Sequence, residues 1–513
     1  MSTTTTSRPA SGRAERAPRP PGSDGPGSGR TSGAGALARS LRTHPELWAL
    51  GAIVAGGIAL RFSTLGLQSF WADEAVTVGR VLRPSLWSTL GQVHSSEATP
   101  PLYYILAWLW TRVFGHSEVG IRSLSAVFGT ATIPVVWWAG RTLVSRAAGI
   151  AAAALVAASP AMVWYSQEAR AYVLLILLSA VGFGFFAVAV RRREGRMVTW
   201  WAVASVLALL THYFAIFTIV PEALALFVLL PELRRRVVAS SAAILAVCGA
   251  LVPLAVHQAN QGHDVWISNI SFGTRLDYLV KQFVFGYHGS SSSVLTVVVL
   301  APLLATAVLA TRGSWRSPGW RLAAAIGVLT IGVPIAAKVF GQDFFFPRNV
   351  IASWIPLAVA GGGAVAVPRL GWAAVAALCA AFVTMAIAID VTPKLQRSDW
   401  RDAAKALGPG VRPRAVLGAD TGANPLTYYL RGAHKVSRGR VTVSEVDTLA
   451  FTAAPVRHAR VIPRGFRFAG RGSSPGFIFE RYVSDRPRTL SVGALSEVRL
   501  EPAHSPTILQ EPR

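Results

Sequence analysis

The sequence predicts an all-α polytopic membrane protein of about 11–13 transmembrane helices with a small C-terminal extracytoplasmic α/β domain. Of 513 residues, 52% are hydrophobic and only 15% charged. The apolar residues come in blocks of about twenty, the length that crosses a hydrocarbon core of about 30 Å. The arginines gather in short connectors such as Arg191-Arg192-Arg193 and Arg234-Arg235-Arg236, the signature of cytoplasmic loops. The formal charge of +25 is therefore topological. With no basic patch interleaved with aromatics on a soluble module, it argues against a nucleic-acid partner.

Residues 1–43 are Ser, Thr, Pro, Gly and Arg with almost no large apolar side chain, which predicts a disordered tail, kept cytoplasmic by its arginines. The first apolar run begins near Leu47, too late for a cleavable signal peptide. Residues 44–392 form the predicted transmembrane domain, with a first external loop at about 67–100. Its apolar blocks run at 46–66, 101–115, 119–140, 146–160, 171–190, 198–213, 214–231, 237–257, 292–311, 320–340, 349–367 and 371–389. Alternation outward from the basic loop at Arg191 puts 258–290, 341–348 and the C-terminal region outside. It also puts Ser166–Arg170 outside and Arg141–Arg146 inside, which clashes in parity with an external Asp73. Blocks 101–115 and 146–160 are both short, so one of them is expected to be re-entrant, or a neighbour to split. Cys248 and Cys379 lie inside apolar blocks and offer no disulfide or metal framework.

From about 393 to 500 the composition turns mixed, predicting a soluble α/β domain, with a flexible tail at 501–513. Ser398 is the expected cap of a helix through Asp399–Leu407, stopped by Gly408-Pro409. Strands are expected at Ala415–Gly418 and Gly476–Val483.

Three polar landmarks stand at one membrane face. Asp73 and Glu74, in Trp71-Ala72-Asp73-Glu74-Ala75, follow the first apolar run at the interface, where a carboxylate can act as a base on a bilayer-embedded substrate or merely solvate a loop. Glu168 and Arg170 are squeezed between two apolar blocks in Trp164–Tyr172, and such charges are costly unless paired; a structural ion pair and a phosphate contact stand equal. Arg348 ends the run Asp343-Phe344-Phe345-Phe346-Pro347-Arg348, either as a planar clamp on phosphate or as an interfacial anchor. Glu97, His94, His212 and His263 are the remaining polar candidates. A divalent metal accepts such ligands, although no tight spacing such as His-Glu-x-x-His is present. No phosphate-cradling Gly-rich loop or nucleophile elbow stands in a plausible setting, which disfavours a nucleotide donor.

Trp71–Ala75, Pro100-Pro101-Leu102-Tyr103-Tyr104, Ser166–Tyr172 and Asp399-Trp400-Arg401, in that order, resemble the motifs of polytopic C-type (GT-C) glycosyltransferases. The nearest in pattern are bacterial relatives of protein O-mannosyltransferases and of lipid A aminoarabinose transferases. The resemblance covers residues 46–430. It implies sugar transfer with inversion from a polyprenyl-phosphate donor at the outer leaflet, mannose being the leading sugar, to a protein, lipid or cell-wall glycan acceptor. Carried onto this chain, Asp73 is the general base, with Glu74 assisting it or shaping the loop. Arg170 and Arg348 hold the donor phosphate, and Glu168 and Tyr172 support them. Glu97 lies where some relatives place a metal-binding acid. The usual His before the Pro-Pro pair is replaced by Thr99, leaving His94 or His263 as the other ligands. The rival readings are a transporter or flippase for a lipid-linked or anionic substrate, against which no internal repeat is evident, and a non-catalytic scaffold.

Overall fold

The computed structural model describes residues 1–2, 45–262, 265–286, 293–419, 421–452, 459, 461–500 and 506–512. The expected disordered tail, but for Met1 and Ser2, and His263 lie outside the described residues. Met1–Leu47 and Trp48–Arg513 are separate compact units. In the first, Met1, Ser2 and the start of one helix are described, and the second carries the rest of the fold.

Helix α1 (Pro45–Phe62) is the first span. Three short helices follow, α2 (Ala72–Val81), α3 (Leu86–Ser96) and α4 (Leu102–Phe114). The bundle continues through α5 (Glu118–Leu143), α6 (Arg146–Ala158), α7 (Pro160–Ser166), α8 (Tyr172–Arg192), α9 (Gly195–Thr211), α10 (Ile216–Leu229) and α11 (Arg234–Ala259). Helix α12 (Phe272–Phe285) lies in the loop before α13 (Ser293–Ser314) and α14 (Pro318–Val339). Then come a largely buried helical stretch, Pro347–Ala366, with α15 (Trp354–Gly362) at its centre, and α16 (Leu370–Val391). Among the described residues, eight helices are long and apolar enough to cross a membrane, nine if the bent pair α6–α7 is one span, and α9 and α10 belong to two shorter apolar stretches. With all of these counted, the number reaches the lower end of the predicted range.

The parity conflict resolves at block 101–115. Helix α4 has 13 residues, about 20 Å at 1.5 Å per residue, too short to cross. Its Tyr103 and Tyr104 are buried against loop residues. The first loop therefore runs on to Ser117, past the predicted 67–100, and the alternation of the later spans becomes consistent.

Close crossings depend on glycine in two places. A Cβ on Gly149 of α6 would stand 2.6 Å from the Trp137 carbonyl oxygen on α5, and one on Gly129 of α5 would overlap the Ser166 hydroxyl. At the 59° bend between α6 and α7, Pro160 has no N–H to offer the Val156 carbonyl. Buried Arg61 of α1 fills in, donating to the carbonyls of Val156 and Ala157, each at 3.0 Å, and to Ser166 Oγ at 3.1 Å.

The C-terminal domain is a six-stranded sheet in the order β2-β6-β1-β3-β5-β4, with β1 (Arg414–Leu417) parallel to β3 (Arg440–Phe451). The other strands are β2 (Ala433–Val436), β4 (Arg467–Ser474), β5 (Phe477–Ser491) and β6 (Thr507–Gln510). Val416 points to a layer with Trp400, Leu426 and Phe477, and Ala415 and Leu417 to one with Val443 and Tyr482, the period of two that a two-faced sheet requires. Both predicted strands are present, and β5 runs past its expected end. The predicted tail at 501–513 is corrected by β6. Thr507–Gln510, a short apolar and β-branched run, pairs antiparallel with both β1 and β2. Helix α17 (Trp400–Leu407) stops at Gly408 as expected, with φ of 71°. Its cap is Asp399, whose carboxylate accepts from the Asp402 N–H at 3.1 Å, and not Ser398.

Helix α18 (Ala423–Tyr429) packs on α2 and docks this domain onto the first loop. Tyr429 OH accepts from the Phe70 N–H at 2.7 Å and donates to Glu118 at 2.9 Å. The Trp400 N–H donates to Ser69 Oγ at 3.0 Å, and Arg401 donates to the carbonyls of Gly66 and Leu67. These contacts set the sheet above the loop ends of the bundle.

Candidate active site

Asp73 and Glu74 occupy the first turn of α2. Neighbours on a helix project about 100° apart, and here that angle separates their fates. Glu74 is fully buried, its Oε1 accepting from Arg122 Nε at 2.7 Å and from the Ala169 N–H at 3.0 Å, and its Oε2 from Arg122 Nη2 at 2.5 Å and the Trp71 N–H at 3.4 Å. Burial alone would raise this carboxyl, but the Arg122 charge and hydrogen bonds outweigh it and leave it below its ordinary range. All its lone pairs are committed to joining the first loop to α5 and to the 166–170 turn. Of the two roles expected of Glu74, assisting the base or shaping the loop, these contacts favour shaping of the loop.

Asp73 faces a cavity of about 920 Å³ walled by α2, the 170–172 turn, the α9–α10 junction, α11 and the loop before Pro347. Its Oδ2 lies 3.1 Å from Arg348 Nη1. The Arg348 guanidinium is framed by Trp266, Phe346 and Tyr172 at 4.8, 5.6 and 5.7 Å from the ring centres. The loop that presents it is clamped at Asp343, whose carboxylate takes Arg275 at 2.6 and 2.8 Å and Lys338 at 2.5 Å. Those hydrogen bonds, Arg275 first, hold Asp343 at about 2.

Deeper in the wall, Glu97 takes both Arg170 Nη atoms, at 3.0 and 3.2 Å, Arg80 Nη1 at 2.6 Å, and the Tyr104 hydroxyl. Burial would raise Glu97, yet Arg170 and then Arg80 hold it well below the carboxylate range. Arg170 also donates to Thr77 at 3.4 Å. Asp73, Thr77 and Arg80 thus line one face of α2 at helical spacing, a signal present in the sequence that did not bring Arg80 into the predicted site.

Two guanidiniums and a hydroxyl already neutralise Glu97, so the expected metal ligand does not fit a divalent cation. His94 instead stacks on His257, ring centres 4.0 Å apart. Among the described residues no cluster of three His, Cys, Asp or Glu could hold a metal ion. Glu168 is buried outside the cavity, 3.5 Å from Arg397, the residue that leads into the C-terminal domain. Burial pushes its carboxyl up to about 7, against the pull of Arg397. Tyr172 lines the cavity beside His212. His212 Nδ1 accepts from the Phe214 N–H at 3.3 Å. Burial, then Arg170 and Arg348, push the ring down to about 3, so it is neutral and carries its proton on Nε2. Gln258, which the sequence did not single out, ties α11 to the carbonyls of Val93 and Thr99 at 3.0 and 3.2 Å.

The arrangement combines one half-exposed carboxylate, an aromatic-framed cation and an apolar wall from α10 and α11, including Phe217 and Val256. It can accept a proton and stabilise an anionic leaving group beside an apolar chain.

The sequence profile of the dolichyl-phosphate-mannose-protein mannosyltransferase family matches residues 98–259. No curated protein matches the sequence. Among solved structures, apo ArnT from Cupriavidus metallidurans aligns at a TM-score of 0.52 and 11% identity over 84% of this chain and 97% of its own. The oligosaccharyltransferase AglB from Archaeoglobus fulgidus, with an inhibitory peptide and a dolichol-phosphate, aligns at 0.46 and 13% identity over 71% of this chain and 58% of its own. The arabinofuranosyltransferase AftD from Mycobacteria aligns at 0.44 and 16% identity over 85% and 39%. The likeness to apo ArnT shows the fold that the two chains share.

Proposed function

We propose that this protein is an inverting glycosyltransferase that moves a sugar, mannose foremost, from a polyprenyl-phosphate donor to a protein, lipid or cell-wall glycan acceptor at the extracytoplasmic face of the plasma membrane. The observation that carries the reading is the pairing of Asp73 with Arg348 at 3.1 Å inside a cavity with an apolar wall. Asp73 takes the proton of the acceptor hydroxyl as its oxygen attacks the anomeric carbon. The bond from that carbon to the phosphate oxygen breaks on the opposite face, and the polyprenyl phosphate leaves as an anion. Arg348, presented by the clamped loop, receives the charge that develops there. Arg170 is committed to Glu97, so it acts by holding the wall in place and through its field. The route of the polyprenyl chain follows α11, whose Val252 and Val256 are exposed on the bundle surface. Sidedness rests on the arginine-rich connectors at the opposite ends of the spans.

The test offers a panel of polyprenyl-phosphate sugars of defined anomer to membranes carrying the protein. Consumption of one donor and a product of opposite anomeric configuration is expected. A product that retains the configuration, or no consumption across the panel, contradicts the reading.

A further inference from the structure

The cavity wall carries five cationic side chains, Arg80, Arg83, Arg170, Arg348 and Lys435, against two carboxylates, Asp73 and Glu97. Arg80 and Arg170 are spent on Glu97, and Arg348 faces Asp73. Arg83 and Lys435 remain. Among the described residues, no carboxylate pairs with either.

They come from different parts of the molecule. Arg83 lies just beyond α2, its backbone carbonyl held by Trp108 Nε1 at 3.1 Å and by Arg112. Lys435 is on β2, one of the two edge strands of the C-terminal sheet, where its ammonium donates to the neutral amide oxygen of Asn424, which also lines the cavity. Docking of α18 on α2 brings this edge over the cavity. Lys435 is solvent-exposed on this strand, and the desolvation it retains there and, next, the Arg80 charge push its ammonium below its ordinary range. A cation near another cation that, among the described residues, has no carboxylate partner is stabilised by an anion.

A polyprenyl-phosphate sugar brings one phosphate diester, which Arg348 is placed to meet. Resting on the glycosyl-transfer reading above, we propose that Lys435 and Arg83 form an acceptor subsite for one anionic group, a carboxylate or a phosphate ester, borne by the acceptor beside the hydroxyl that attacks. The C-terminal domain then selects the acceptor by charge.

The full-length protein in detergent micelles is titrated with glycerol 1-phosphate, with glucuronate and with glycerol as neutral control, with and without saturating undecaprenyl phosphate. Binding is read by ligand-detected NMR. One of the two anions, identifying the source of the charge, is expected to bind saturably while undecaprenyl phosphate stays bound. Loss of a hydrogen bond to a charged group should weaken that binding about tenfold or more in Lys435→Ala and Arg83→Ala. Lys435→Arg should retain it, and all three variants should keep the affinity for undecaprenyl phosphate. Three outcomes overturn the subsite: neither anion saturates, Lys435→Ala binds like the parent, or the anions displace undecaprenyl phosphate. Failure of undecaprenyl phosphate to bind at all would count against the donor reading, and the titrations without it still decide the subsite.

Discussion

Asp73 and Arg348, 275 positions apart in the chain, meet at 3.1 Å because α2 opens with Asp73 on its cavity side and the clamp at Asp343 fixes the loop that ends in Arg348. The proposed base and the proposed leaving-group cation are therefore neighbours in the fold. Arg348→Ala is expected to lower transfer by about 10²–10³-fold, the scale of losing one preorganised charge-stabilising donor. Arg348→Lys should recover only part, since a point charge replaces a planar fork. Steady-state transfer rates at saturating donor check both.

Glu74, next to Asp73, should behave in the opposite way. Glu74→Ala leaves Arg122 buried without its carboxylate, and breaking a buried pair of this kind costs about 3–5 kcal/mol. Thermal unfolding in detergent should show a large loss for Glu74→Ala and little change for Asp73→Asn. Equal melting temperatures would remove the loop-shaping role of Glu74.

Transfer is expected to survive a chelator. Glu97 is already paired with Arg80 and Arg170, so the proposed transfer is expected to proceed without a divalent cation there. Assays with and without EDTA check this, and a loss restored by added Mn²⁺ or Mg²⁺ would contradict it.

Glu168 gives the stability a pH dependence whose sign is fixed. Its folded carboxyl is raised from 4.5 to about 7, so between those values the folded state holds a proton that the unfolded chain has released. The stability it contributes is complete below 4.5 and is lost as the pH rises through 7. Melting temperatures across that window should fall more steeply for the parent than for Glu168→Gln; parallel profiles would contradict the assignment.

Legibility followed the range of the interactions. Hydropathy is a local property, so most of the spans could be read from the chain, and Asp73, Arg170 and Arg348, which the sequence singled out, line one cavity. Residues 102–114 are as apolar as a span, and only their length and their burial against the first loop show that they do not cross. The division of labour between Asp73 and Glu74 depends on Arg122, 48 positions from Glu74. The position of Lys435 depends on a domain docking through Tyr429 and Trp400. The strand at Thr507–Gln510 has four residues and gains its order from two partners far back in the sequence.

The most direct test of the central claim is transfer from radiolabelled polyprenyl-phosphate mannose, or whichever sugar the donor panel selects, in membranes carrying the parent or Asp73→Asn at matched expression. Removal of a general base should reduce transfer by about 10²–10⁴-fold in the variant. Equal transfer by the two proteins would contradict the account and take Asp73 out of the chemistry.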